Sequence, residues 1–226
     1  GDPPLQADHR GAGSLPHLRG GILQDEEGHL PPPLAHEPRY PPLDFVMKKR
    51  TITEMERLTL QDFQRSDKLP IRLVLEDVRS MNNLGSIFRT ADAFRLEGLT
   101  LCGITARPPH PDIHKTALGA EESVAWHYEP SILEALRALR AQGYHLLALE
   151  QVHDSLSLET FVPDPAMRYA LVLGNEVHGV SEAVVSEVDQ CLEIPQYGTK
   201  HSLNVSVATG IALWQMVSPL LPLLGR

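Results

Sequence analysis

The chain has 226 residues, 42% of them hydrophobic, enough for one sizeable core and a small appendage. Its formal net charge of −9 excludes a generally basic nucleic-acid coat, though not a local basic patch. The two cysteines, Cys102 and Cys191, lie far apart in apolar runs and no C-x-x-C occurs, which argues against a disulfide framework or a zinc cluster and fits a reducing cytoplasm.

No run reads as a membrane span, and the N-terminus lacks a signal-peptide core. Residues 1–46 are broken by Pro3-Pro4, Pro31-Pro32-Pro33 and Pro41-Pro42 without periodicity, so a flexible extension is expected. The sequence opens on Gly1, and Met47-Lys48-Lys49-Arg50 reads as the start of the folded part, residues 47–226. A helix is expected over 53–64, capped by Thr53 with Glu56 and turning Met55, Leu58 and Phe63 inward. Residues 71–75 form a buried strand ending at Glu76-Asp77, 82–85 a turn, and 86–95 a helix with Ile87, Phe88, Ala91 and Phe94 on one side. A strand over 99–104, a Pro-rich loop over 105–122 and a strand over 124–128 follow. Helix Ile132–Ala141, strand Tyr144–Leu149, strand 169–173 and helix 181–188 come next. The last unit is strand 191–194, a loop from Pro195, and an apolar helix entered at Ser202. Strands apolar on both faces, alternating with helices, predict an α/β fold with a parallel sheet covered by helices.

Three strand-end loops carry more polar chemistry than a connection needs. The first holds Asn83, Gly85 and Arg89, with Arg79 before it; the second Gly174, Asn175, Glu176 and Gly179. The third holds Tyr197, Thr199, Lys200, His201, Ser202 and Asn204. Singly, each has a plain reading as turn formers, a solvated arginine or an acid opposing a helix dipole. If their strands are neighbours, the loops converge on one crevice at the carboxyl edge of the sheet. No G-x-G-x-x-G follows a strand, and neither a P-loop nor G-x-S-x-G is present. His110 and His114 stand at i,i+4 but in a Pro-rich loop, so no metal is expected.

Asn83-x-Gly-x-x-x-Arg89-Thr-Ala-Asp-Ala-Phe94, Leu173-Gly-Asn-Glu-Val-His-Gly-Val-Ser181 and Ile194-Pro-Gln-Tyr-Gly-Thr-Lys-His-Ser-Leu-Asn-Val-Ser-Val-Ala208 resemble, in order and spacing, three motifs of one family. It is the SpoU/TrmH family of S-adenosylmethionine-dependent RNA 2′-O-ribose methyltransferases, within the SPOUT superfamily. The resemblance runs from about Met47 to Trp214. It implies a sheet whose C-terminal part is threaded as a deep trefoil knot, and a homodimer. It places the cofactor, S-adenosyl-L-methionine, against Gly174, Ile194 and Leu203, with Glu150 and Gln151 in the wall. Asn83, Arg89, Glu176, Ser202 and Asn204 match the catalytic and structural polar positions.

The implied reaction is methyl transfer to a ribose 2′-hydroxyl of tRNA or rRNA; the alternative is a non-catalytic RNA-binding or assembly protein retaining the fold. The family role for the Arg89 position is a general base or base activator. A guanidinium stays protonated, with a pKa above roughly 12, so a bidentate phosphate clamp is the easier role. Ser202 and Asn204 are expected to orient the hydroxyl and Glu176 to fix a loop or Arg89. Against the family pattern, no long folded RNA-binding segment is expected before Met47 and no basic extension after Trp214. Arg79, Arg89, Arg95, Arg107, Lys115, Lys200, His110, His114 and His201 are expected to gather as a cationic cleft. The C-terminal helix is apolar nearly all round, with Leu203, Val207, Ile211 and Trp214 in one stripe and Val205, Ala208, Ala212, Met216 and Val217 on other faces. One face therefore needs a second subunit, and Val217 is read as part of that contact.

Overall fold

The computed structural model describes residues 47–51, 53–55 and 57–225; the Pro-rich extension 1–46 and the expected Glu56 cap partner lie outside them. The chain falls into two units, Gly1–Glu54 and Met55–Arg226. In the first, the Thr51 N–H and hydroxyl both donate to the Glu54 carboxylate, at 2.6 and 2.8 Å. The sheet and the helices that cover it belong to the second.

Seven strands, β1 (Leu69–Glu76), β2 (Leu96–Cys102), β3 (Trp126–Glu129), β4 (Tyr144–Leu149), β5 (Leu156–Ser157), β6 (Arg168–Leu173) and β7 (Gln190–Glu193), form one sheet ordered β3-β2-β1-β6-β4-β7-β5. Every pairing is parallel, as the apolar runs predict. Side chains alternate between two cores. Ile71, Leu73 and Leu75 join one cluster, while Val74 joins the other with Leu146, Ala148, Ala170 and Val172. The first is roofed by α2 (Met81–Ala93) and α7 (Val205–Val217), the second by α5 (Ile132–Ala141) and α6 (Glu182–Val185).

Several boundaries differ from expectation, each for a local reason. The 53–64 helix is a 3-10 turn, Thr53–Met55, then α1 (Leu60–Arg65), because Thr59 caps a new start by accepting from Asp62 N at 3.2 Å. Phe63 is buried, whereas Leu58 is exposed. Residues 82–85 are the first turn of α2: Ser80 Oγ accepts from Asn83 N at 3.3 Å. The buried stripe Leu84, Ile87, Phe88 and Ala91 then overrides the turn composition of Asn82-Asn83. The 105–122 loop contains α3 (Pro111–Ala117) and α4 (Ala120–Ser123). Its proline begins a helix, since Pro111 sits where no intrahelical N–H is needed and His110 Nδ1 caps. α6 is shorter than 181–188, and α7 starts from Asn204, not Ser202.

α7 runs on into 3-10 turns, Ser218–Leu224. Together Val205–Leu224 has the length and apolar composition to cross a membrane, correcting the expectation that no run has this character. Yet Ala212, Leu213, Met216, Val217 and Leu220 are buried against the sheet, and Pro219 and Pro222 interrupt the last turns. Val217, expected at an intersubunit contact, belongs to the chain's own core.

The registers set the strand ends abreast. Leu75 pairs with Leu173, and Ala148 with both Val172 and Cys191. The loops after β1, β6, β4 and β7 therefore open on the same edge, as expected of strands that are neighbours.

Candidate functional site

The loop leaving β6 is tightly closed on itself at this edge. Asn175 and Gly179 bridge it, with N–H to carbonyl bonds of 3.0 and 2.9 Å in the two directions. Gly174 must be glycine: a Cβ there would stand 2.1 Å from the Gly179 carbonyl carbon and 2.3 Å from Val180 N. Gly179 has φ +68, and a Cβ on it would stand 2.2 Å from Glu150 Oε2. Glu150 grips the loop from β4's end, accepting from Val180 N at 2.8 Å and from Gln151 N at 2.9 Å. Asn175 Nδ2 donates to the Asp77 carbonyl at 2.8 Å, tying the loop to β1.

Between this loop and the segment after β7 lies a cavity of about 300 Å³. Glu150, Gln151, Gly174, Ile194 and Leu203, all named from the sequence, line it together with Ser202. Leu149, Leu173, Val205 and Ala208 add apolar wall; Glu193, Gln196, His178 and His201 add polar groups. An apolar slot edged by main-chain groups and a few polar side chains suits a ligand with a flat heteroaromatic ring and a zwitterionic tail, so the residues fit S-adenosylmethionine.

Beside the cavity, three of the expected catalytic residues form one hydrogen-bonded chain. The Glu176 carboxylate accepts from Ser80 N (3.0 Å), Arg79 N (3.3 Å) and Asn83 Nδ2 (3.2 Å), so it caps α2. Asn83 Oδ1 accepts from Asn204 Nδ2 at 3.1 Å, and Asn204 Oδ1 caps α7 through Ser206 N and Val207 N. Burial pushes the Glu176 carboxyl upward, but the N–H donors outweigh it and hold it below its usual value.

The other expected residues are placed differently. Ser202 is exposed on the cavity wall, without a side-chain partner among the described residues. Arg89 is exposed on α2, lines neither cavity, and makes no hydrogen bond or ion pair among the described residues. Arg95 leaves the expected cationic set: its guanidinium binds the Asp67 carbonyl at 2.9 and 3.2 Å, at the strand-start edge. His110 is used as a cap and His114 binds Glu121 at 2.6 Å, so they do not act as a pair. Arg107 stacks on Tyr128, 4.2 Å from its ring centre.

Sequence reasoning missed Glu76. Buried at the end of β1, it accepts from Ser181 N (2.9 Å) and Ser181 Oγ (2.6 Å), fastening the start of α6. The only signal was an acid ending an apolar strand. A second cavity, about 640 Å³, shares residues 175–179 with the first and adds Glu76, Asp77, Arg79 and Ile104.

A profile of the SpoU rRNA Methylase family matches residues 70–214. The chain belongs to the SpoU rRNA methylase family. It is 28% identical over 175 residues to the 23S rRNA (guanosine-2'-O-)-methyltransferase RlmB of Vibrio parahaemolyticus, covering 76% of this chain and 69% of that enzyme. It is 29% identical over 166 residues to the tRNA (guanosine(18)-2'-O)-methyltransferase of Thermus thermophilus, covering 74% and 84%. Its fold matches the TrmH/SpoU tRNA modifying enzyme of A. aeolicus with a TM-score of 0.63 at 25% identity, covering 74% and 84%. It matches the SpoU methyltransferase AviRb of Streptomyces viridochromogenes, in complex with AdoMet, with a TM-score of 0.59 at 28% identity, covering 70% of this chain and 59% of that one.

Gly174→Ala tests the loop. Because the clash is with the Gly179–Val180 main chain, even one methyl must displace it; stability should fall by about 1–3 kcal/mol and S-adenosylmethionine affinity at least about 10-fold. Calorimetry and thermal melts check both, and wild-type affinity would detach the loop from the cavity. Glu176→Gln tests the cap through pH. The folded carboxyl lies below its usual 4.5, so its stabilisation is present above that value and is lost as pH falls through the depressed one. Melting temperatures of wild type and variant should differ at pH 7 and converge in acid.

Proposed function

We infer that this chain transfers the methyl group of S-adenosylmethionine to a ribose 2′-hydroxyl of rRNA or tRNA. The observation that carries this is the single cavity lined by all five residues assigned to the cofactor, with Ser202 on its wall and the Glu176–Asn83–Asn204 chain beside it. Relatives named as RNA 2'-O-methyltransferases support it.

S-adenosylmethionine supplies an already electrophilic sulfonium methyl, so what the protein must add is alignment. Ser202, on the cavity wall with no hydroxyl partner among the described residues, is the group to orient the ribose hydroxyl. Asn204 Nδ2 donates to Asn83 and its Oδ1 caps α7, which leaves one amide hydrogen to share in orienting that hydroxyl. Asn204, Asn83 and Glu176 act as positioning residues that lock the loop after β6 to α2 and α7. Arg89 clamps an RNA phosphate, because its guanidinium is exposed, unpaired among the described residues and able to hold two phosphate oxygens.

The working unit we propose is a homodimer formed through α7, with the C-terminal strands and loops threaded as a trefoil knot, acting in the cytoplasm. Val207, Ile211 and Trp214 stand on one face of α7 and are 52%, 41% and 57% exposed, although this helix's opposite face is in the core. An apolar stripe of this kind suits a two-fold partner.

Purified protein should bind S-adenosylmethionine and carry a tritiated methyl group into total RNA from cells lacking it. Cofactor binding without labelling would favour the non-catalytic alternative. Arg89→Ala and Arg89→Lys should each lose roughly 10- to 150-fold in turnover, the worth of a charged hydrogen bond, with cofactor affinity unchanged. Near wild-type turnover in Arg89→Ala would remove the clamp. Ile211→Asp should dissociate the dimer in sedimentation equilibrium and lower activity with it, since Ile211 lines neither cavity. A fully active monomer would end the dimer proposal.

A further inference from the structure

Among the described residues, one buried side-chain polar atom has no hydrogen-bond partner, Glu121 Oε2. A buried oxygen of this kind on a carboxylate calls for a counterpart, commonly a water or an ion. Glu121 stands in the first turn of α4, and its side chain is only 8% exposed. Its other oxygen, Oε1, lies 2.6 Å from His114 Nδ1. Glu122 is next in the chain and makes no side-chain hydrogen bond or ion pair among the described residues. One ligand atom from each of His114, Glu121 and Glu122 lies within 4.8 Å of the others. His114 is 64% exposed, so ions in solvent reach the group.

A left-handed turn brings these side chains together. His114 is in the last turn of α3, the end of a helix that favours positive charge. α3 stops at Leu118, with φ 54, and the chain reverses through Gly119, with φ 91, into α4. Positive φ at a leucine costs energy that the surrounding structure must offset. The turn is braced on α2: Thr116 Oγ1 donates to the Asn82 carbonyl at 3.0 Å, and Ser123 Oγ donates to Asp92. A continuous helix would spread positions i, i+7 and i+8 over about 10–12 Å, so the cluster exists only because of this reversal. The sequence expectation of no metal concerns His114 with His110; the fold gives His114 other partners. None of the three residues lines either cavity.

We propose that His114, Glu121 and Glu122 bind one divalent transition-metal ion of the zinc type, and that the ion pins the α3–α4 turn against α2. Imidazole nitrogen and carboxylate oxygen are both zinc ligands, and the imidazole disfavours magnesium. Ligands of one tetrahedral zinc stand about 3.3 Å apart at bond lengths of about 2.0–2.1 Å. The His114–Glu121 contact therefore opens by less than about 1 Å, its proton leaves to solvent, and the ion takes the proton's place. Glu122 supplies the third ligand from the surface, and water fills the fourth position. The role is structural, acting on α2 through the turn.

The test takes the full chain, stripped by a chelator, and titrates it with zinc chloride in calorimetry and thermal melts. Saturable binding of zinc is expected, with a rise in melting temperature of about 2 °C or more at saturation. Magnesium chloride at the same concentration should give neither. Glu122 is the discriminating position: it is exposed and unpartnered among the described residues, so Glu122→Gln leaves the fold and a plain His114–Glu121 ion pair intact. Glu122→Gln and His114→Gln should each weaken zinc binding at least about 10-fold and remove the rise in melting temperature. Absence of saturable binding overturns the site, and so does unchanged zinc affinity in either variant. Magnesium binding as tightly as zinc overturns the imidazole ligand.

Discussion

The site depends on one carboxylate set against one helix end. Glu176 reaches from the loop after β6 to the first turn of α2 and takes three N–H groups there, two from the main chain and one from Asn83. Those donors belong to a helix start that has no intrahelical partners for them. Through Asn83 the same contact continues to Asn204, which starts α7. Segments 93 and 121 residues apart in the chain are thereby held in one geometry. A small movement of the β6 loop must be felt at both helices, because an asparagine amide bonded at both ends has no slack to absorb it.

Such an arrangement explains which features are legible in the sequence and which are not. The sheet is legible because its strands, such as 71–75 and 169–173, are apolar on both faces and admit few other readings. Converging loops follow from strand adjacency, and the three motifs name the residues in them. The capping choices are not legible. Thr59, Ser80 and Asn204 start α1, α2 and α7, where the sequence points to Thr53, a turn over 82–85 and Ser202. Pro111 reads as a loop residue, yet it opens a helix. Nor can local pattern distinguish the buried Val217 from the exposed Ile211, since both are apolar positions on one terminal helix; only the direction of the sheet separates them.

The roles within the site divide along the same line. The family resemblance names Asn83, Glu176, Ser202 and Asn204 as a set, but gives no ranking among them. Their bonds differ: Asn204 and Glu176 are engaged within the protein, and the Ser202 hydroxyl has no partner among the described residues. Ser202 and Arg89 are exposed, whereas Asn83, Glu176 and Asn204 tie the β6 loop to two helix starts.

The same accounting resolves how a chain of net charge −9 can receive RNA at this edge. Among the carboxylates lining the cavities, Glu76, Glu150, Glu176 and Glu193 are each engaged by N–H or O–H donors from their own fold. Their charge is partly compensated by the very dipoles that build the loops, as at Glu176, where a helix N-terminus supplies positive potential. Asp77 keeps one oxygen without a partner among the described residues. Arg79 and Arg89, by contrast, keep their guanidinium groups unpaired among the described residues. Donor-engaged acids and the unpaired Arg79 guanidinium therefore make this edge less repulsive to phosphate than the net charge implies, with further acids on the remaining surface. Repulsion of RNA from that surface confines productive contact to the crevice, and the screening length of about 8 Å at physiological salt keeps distant acids from opposing it.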